Sequence, residues 1–379
     1  MRILFVAPSG SVHTARWIKQ LCGQGWELHL FPSIDLGSVN PGMPPEVKNY
    51  RVYANQSRPA RAFRKIKEWL PLSDQLPHLC RLIGEIKPDI IHSMEIQHGA
   101  YLTLEAKKRI GGEFPPWIVT NWGSDIYHFG KFPDHAMRIR EVLSNCHYYH
   151  CECERDVRLG REFGFTGFVL PVIPNGGGFN LEQVRGLRSS LPPSKRRRIM
   201  LKGYQGWAGR ALVGLQALRK CADLLACYEL CVYAPEIAGE ARAFERETGL
   251  KTTLVPWGTP HDEMLRLHGS ARVSLGLSIS DALSTSLLEA IIMGSFPVQS
   301  NTCGAAEWLE DGKTCLLVSP EDTDAVAGAL RRTLTDDALV DNGSAANIVM
   351  AETKLSAATI GPMARNIYIS ALAGQNNPK

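Results

Sequence analysis

Residues 271–300, ARVSLGLSISDALSTSLLEAIIMGSFPVQS, impose a strand, loop, helix, strand order that few architectures accept. The apolar run 273–279 reads as a strand buried on both faces. Ser280 and Asp281 form a polar break, and the next segment reads as a helix stopped by Gly294. Phe296, Pro297 and Val298 open another strand. A unit of this kind belongs in an open α/β sheet, where ligands sit beyond the carboxyl ends of the strands. Asp281 stands at that position.

The helix entry is rich in hydroxyls, Ser284-Thr285-Ser286, with a carboxylate on either side. Unpaired N–H groups of a first helical turn and the helix dipole favour a phosphate there. Asp281 is placed to accept hydrogen bonds from sugar hydroxyls and Glu289, in the second turn, to grip a ribose. Together they would hold a nucleotide-sugar. Two plainer readings stay open. Ser286-x-x-Glu289 is also a capping box, and Asp281 is also a residue that turns a loop.

At 379 residues the chain is long enough for two domains, and 44% hydrophobic residues mark it as globular. A net charge of +4 gives no reason to expect nucleic acid as a partner. Ten cysteines occur without a C-x-x-C or a paired framework, so reduced thiols in a cytoplasmic protein are expected, and no metal site. The apolar run 3–7 is cut off by Pro8, too short for a signal core, and no run approaches ~18 apolar residues, so no membrane-spanning helix is expected.

In chain order, residues 2–6 read as a strand, the loop Pro8 to His13 follows, and a helix over 14–22 leads to a second strand at 27–31. That is βαβ, the start of a doubly wound fold. The loop has no G-x-G-x-x-G, which removes dinucleotide binding. Residues 58–70, RPARAFRKIKEWL, place five cations around an apolar stripe. Such a helix suits an anionic membrane surface on its inner face, and equally a solvated surface helix. Strands also fit residues 117–120, 148–151 and 169–173. His92, Glu95 and His98, assigned to the stretch after the strand that begins near Pro88, stand where an acceptor would be met, although loop histidines are more often merely solvated. Residues 189–198, SSLPPSKRRR, have the composition of a linker. Six further strands follow, over 198–201, 230–233, 252–256, 273–279, 296–299 and 315–318. Lys202 and Arg210, framed by Gly203, Gly206 and Gly209 between a strand end and a helix, suit a diphosphate clamp; the alternative is a pair of surface cations.

The pattern Asp281-x7-Glu289-Ala290, then Ser295-Phe296-Pro297-Val298, Glu307 and Asp311-Gly312, resembles the donor-site pattern of retaining GT-B glycosyltransferases of family 4. The family usually has glutamate where Asp281 stands, a departure that bears on the donor sugar more than on the reaction class. The resemblance implies two Rossmann-like domains facing across a cleft: 1–190 on the acceptor side, with a C-terminal helix within 355–379 crossing back, and 191–354 on the donor side. It also implies that Gly10 and His13 lie near the donor phosphates or the acceptor. Asp125, in Gly123-x-Asp125, lies at the cleft, with Trp122 where the family has histidine. Trp257 becomes a candidate for contact with the base, the alternative being a core tryptophan. Glu307 is expected to begin a helix.

The function implied is transfer of a hexosyl group from a nucleotide diphosphate sugar to a hydroxyl of a glycan or lipid-linked saccharide, with retention and without a metal or other cofactor. Lys202, Arg210 and Asp281 would carry catalysis, and Ser284, Thr285, Ser286, Glu289, Trp257 and Gly10 donor binding. Two other classes remain: a sugar-nucleotide epimerase on a related fold, and a GT-B protein that binds nucleotide-sugar without turnover.

Overall fold

The computed structural model describes residues 1–34, 39–51, 75–302 and 304–374. The basic segment 58–70 lies outside the described residues. The chain divides into two compact units, Met1–Asn175 with Gly361–Lys379, and Gly176–Ile360.

The first unit is built on a parallel sheet of β1 (Arg2–Ala7), β2 (Glu27–Pro32), β3 (Lys48–Asn49), β4 (Ile90–Met94), β5 (Trp117–Thr120), β6 (Tyr148–His150) and β7 (Phe168–Val169). Their order is β3-β2-β1-β4-β5-β6-β7, so the winding reverses between β1 and β4. β1 is almost wholly apolar because helices cover both faces of a parallel sheet, and residues 3–7 are fully buried. The helix Val12–Lys19 starts two residues before expected, capped by Ser11, whose hydroxyl accepts from the His13 N–H at 3.1 Å. It turns Trp17 and Ile18 into the core.

The second unit contains β8 (Arg198–Lys202), β9 (Glu229–Tyr233), β10 (Thr252–Leu254), β11 (Ala271–Gly276), β12 (Phe296–Ser300) and β13 (Leu316–Val318). All six expected strands are present, in the parallel order β10-β9-β8-β11-β12-β13, and here the reversal falls between β8 and β11. β11 stops short of the expected residue 279. Beyond Gly276 the chain leaves the sheet: the Leu277 carbonyl accepts from Arg210 N–H at 3.0 Å and the Ser278 carbonyl from the Thr302 hydroxyl at 3.0 Å. The strand expected over 169–173 is only β7, and Glu307 closes the short 3₁₀ turn Gly304–Glu307 instead of opening a helix.

Residues 189–198 are linker-like in composition yet belong to the second unit, with Pro193, Ser194 and Arg196 buried. The buried Arg196 guanidinium donates to the carbonyls of Leu191, Ala271 and Gly294 at 3.0, 3.2 and 2.7 Å. The helix Leu181–Leu187 also belongs there, with Val184 in a cluster around Leu287, Leu288 and Ile291. The division between units therefore falls at Asn175 and Gly176, before the expected 190/191 boundary.

The last helix, Ala357–Ala373, enters the first unit from Gly361 onward. Tyr368 is its anchor: the phenol accepts from Trp17 Nε1 at 2.7 Å and meets His92 Nδ1 at 2.6 Å. His92 Nε2 reaches the Thr120 hydroxyl at 2.6 Å, and His150 Nδ1 reaches the same hydroxyl at 3.1 Å. Burial holds the pKa of His92 well below the ordinary histidine value and that of His150 down to about 3. In the second unit burial lowers His268 to about 4. A depressed histidine pKa means that the unfolded chain takes up protons the folded chain refuses. Stability is then complete above about pH 6.5 and falls as pH drops, by about 1.4 kcal/mol per unit for each such histidine. Urea unfolding is expected to show this loss between pH 6.5 and about 4; a flat profile from pH 7 to 5 would contradict it.

Candidate active site

In the second unit the reversal between β8 and β11 brings together side chains far apart in sequence. Lys202 ends β8. Its buried ammonium donates to Asp281 Oδ2 at 2.7 Å, Ser284 Oγ at 3.0 Å and Ser278 Oγ at 3.2 Å. Burial alone would raise the Asp281 pKa and lower that of Lys202. The opposite charges at 2.7 Å outweigh it, so Asp281 lies below the usual carboxylate range and Lys202 above the usual lysine range. Both are charged at neutral pH.

Ser284 is the N-cap of the helix Thr285–Met293, yet its side chain does not cap the helix. Its hydroxyl meets Ser286 Oγ at 2.8 Å and Lys202 instead. Gly176 approaches the same helix tip so closely that a Cβ would lie 2.7 Å from Thr285 Oγ1. Since the helix begins at Thr285, Glu289 sits too deep to close a capping box from Ser286. It is buried and pairs with His261 Nε2 at 2.9 Å. His261 opens the helix His261–Gly269. Tyr233, at the end of β9, lies against Ser286, and burial pushes its phenol up to about 12.

Trp257 is 64% exposed and stacks nearly parallel to Tyr204, ring centres 6.2 Å apart at 23°. Tyr204 in turn lies 4.6 Å from the Lys202 ammonium. A stacked aromatic pair thus adjoins the cation. Arg210 is placed differently from Lys202. Its guanidinium pairs with Glu321 at 2.8 Å and donates to the carbonyls of Gly206 and Gly209, folding back on its own loop.

In the first unit, Gly10 is exposed and its carbonyl accepts from Asn40 Nδ2 at 3.2 Å. His13 is half-buried, its ring 5.4 Å from that of Trp122. Asp125 is buried: Oδ2 accepts from the N–H groups of Trp122 and Ile96 at 2.8 and 2.9 Å. Burial, with the charge of Glu95 added, raises its pKa well above the carboxylate range. Among the described residues, no group of three His, Cys, Asp or Glu side chains is placed to hold a metal, and no helix is long and apolar enough to cross a membrane. The described cysteines are free thiols.

The sequence reading missed Tyr204, Tyr233, Ser278 and His261. The rule that found Asp281 would have found three of them, since Tyr233, Tyr204 and Ser278 follow or end β9, β8 and β11. His261 had no such signal.

The glycosyl transferase 4-like family matches residues 2–149, and the glycosyl transferases group 1 family matches residues 237–348. The chain belongs to these glycosyltransferase families. In fold, this glycosyltransferase is similar to sucrose-phosphate synthase from Thermosynechococcus elongatus, at a TM-score of 0.72 and 16% identity over 99% of this chain and 100% of that one. It is also similar to Alr3699/HepE of Anabaena in complex with UDP-glucose, at a TM-score of 0.69 and 14% identity over 98% and 100%. The two parallel-sheet units are those of the GT-B architecture. A stretch of 114 residues, 30% of the chain, is 31% identical to trehalose phosphorylase from Pleurotus pulmonarius and spans 15% of that protein.

Proposed function

We propose that this glycosyltransferase moves a hexosyl group from a nucleotide diphosphate sugar to a hydroxyl of a glycan or lipid-linked saccharide, with retention and without a metal, in the cytoplasm. The observation that carries the reading is the Lys202 ammonium at the tip of the helix Thr285–Met293, between Asp281, Ser278 and Ser284. A cation and a helix N-terminus directed at one point suit the diphosphate, whose charge grows as the glycosidic bond breaks. Asp281, partly exposed beside that point, would accept hydrogen bonds from sugar hydroxyls. Glu289, one turn into the helix, would take the ribose, and Tyr204 with Trp257 the base. In a front-face reaction the departing phosphate oxygen takes the proton of the acceptor hydroxyl. Protein cations and amides would then supply the charge stabilisation that a metal supplies elsewhere.

Thermal shift against nucleoside diphosphates and their sugars tests this directly, with UDP-glucose, the ligand of the HepE structure, as the first donor to try. Stabilisation by a sugar nucleotide and an α-configured product by proton NMR from an α-configured donor are expected, with chelator leaving the rate unchanged. An isomerised free sugar formed without acceptor would identify an epimerase instead. Trp257→Ala is expected to weaken nucleoside diphosphate binding about five- to tenfold, the value of one aromatic stacking contact. Unchanged affinity would move the base elsewhere.

A further inference from the structure

The first unit has its own reversal point, between β1 and β4, and side chains there are held as deliberately as Lys202 is in the second. The loop after β4 packs closely on the end of β1: a Cβ on Gly99 would come within 2.6 Å of the Val6 carbonyl oxygen. Glu95, the first residue past β4, has φ 70° and ψ 148°, a backbone region that a residue with a Cβ occupies only under strain. Its buried carboxylate fixes the turn, Oε1 accepting from Gly99 N–H at 2.6 Å and Oε2 from His98 N–H at 3.0 Å.

Those bonds satisfy the short helical turn Ile96–Ala100 without the His98 ring. The ring is nevertheless held: Nδ1 lies 3.1 Å from Glu95 Oε2. In neutral imidazole this contact places the proton on Nδ1 and leaves Nε2 as an acceptor. The His98 side chain is 55% exposed, and among the described residues nothing bonds to Nε2. Beneath the loop lie the carboxylates of Glu95 and Asp125, the latter binding Ile96 N–H. Arg138, a cation near this turn, is stacked over the Tyr101 ring at 3.9 Å. The buried acid of Glu95, whose charge already raises the pKa of Asp125, disfavours an anion at this point. A hydroxyl fits, because it bonds to Nε2 whether the ring is neutral or protonated.

We propose that Glu95 and His98 form the hydroxyl-binding element of the first unit, with His98 Nε2 bonding a hydroxyl of a neutral sugar or polyol acceptor in the crevice between β1 and β4. This rests on the reading of the chain as a transferase with a hydroxyl acceptor. Glu95 positions the imidazole, and His98 touches the substrate.

The test uses the full chain with ¹⁵N-labelled histidine, titrated with glucose, fructose, sucrose, trehalose and glycerol, and with glucose 6-phosphate as the anionic comparison, each with and without UDP. A neutral probe is expected to shift the His98 Nε2 resonance saturably. His98→Ala should weaken that probe about tenfold or more, and His98→Gln should restore part of the affinity. Both variants should keep the wild-type thermal shift with nucleoside diphosphates. If no neutral probe moves His98, if only glucose 6-phosphate does, or if His98→Ala binds the probe as wild type does, the proposal is overturned. Sugar binding at His98 without any nucleotide binding would sink the donor reading and leave this one standing; nucleotide binding with a silent His98 would do the reverse.

Discussion

Lys202→Ala is expected to cut turnover by about 10²–10³-fold while changing acceptor affinity little, because a preorganised cation at a leaving group acts mainly in the transition state. The same change leaves Asp281 without its counter-ion. Breaking a fully buried pair costs about 3–5 kcal/mol. Asp281 is 28% exposed, so water relieves part of that and a loss of about 1–3 kcal/mol is expected. The two effects separate in a double variant. Lys202→Ala with Asp281→Asn removes both charges and should recover most of the melting temperature but none of the turnover. Calorimetry and steady-state kinetics on the three proteins check this. A Lys202→Ala protein that turns over at the wild-type rate would remove the cation from the mechanism.

The pairing of Lys202 with Asp281 also bears on the order of events. In the described state the ammonium faces a carboxylate, so on the proposed reading an incoming diphosphate would compete with Asp281 for it. Ser278 and Ser284, which also accept from the ammonium, would hold it in place during that exchange. The carboxylate would then be released toward hydroxyls of the sugar carried by the same diphosphate.

Much of this arrangement was legible in the sequence, because parallel strands buried on both faces read as apolar runs and ligand groups cluster at their ends. That logic located all six strands of the second unit, and with them Lys202 and Asp281 as separate candidates. It could not pair them, since 79 residues separate the two and only the strand order brings them together. The same limit applies to Arg210. Three glycines and a cation before a helix suit a phosphate clamp, but Glu321, 111 residues away, takes the guanidinium. Asp125 shows the same limit. The Trp122 N–H it binds is three residues back, but the Ile96 N–H that completes its burial comes from another strand's loop. The linker-like run 189–198 shows composition overridden by burial: Pro193 and Ser194 are buried and Arg196 ties three carbonyls.

The largest effect on donor binding is expected at Glu289. A carboxylate has acceptor sites for more than one donor, so Glu289 can accept from a diol as well as from the imidazole, and a charged hydrogen bond is worth about 1.5–3 kcal/mol. Glu289→Ala should therefore raise the Kd of nucleoside diphosphates about 10–100-fold. Loss of affinity alone would not distinguish ribose recognition from a collapsed helix tip, because Tyr233 and His268 adjoin the same carboxylate. The sugar of the nucleotide supplies the distinction. Wild type should prefer a ribonucleoside diphosphate over its 2′,3′-dideoxy counterpart, while Glu289→Ala should bind the two alike by calorimetric titration. His261→Ala should fall between them, since the carboxylate remains but loses the imidazole that holds it at 2.9 Å. If Glu289→Ala keeps the full preference for the ribonucleotide, the diol is read elsewhere, and the carboxylate serves only to hold His261 against the helix.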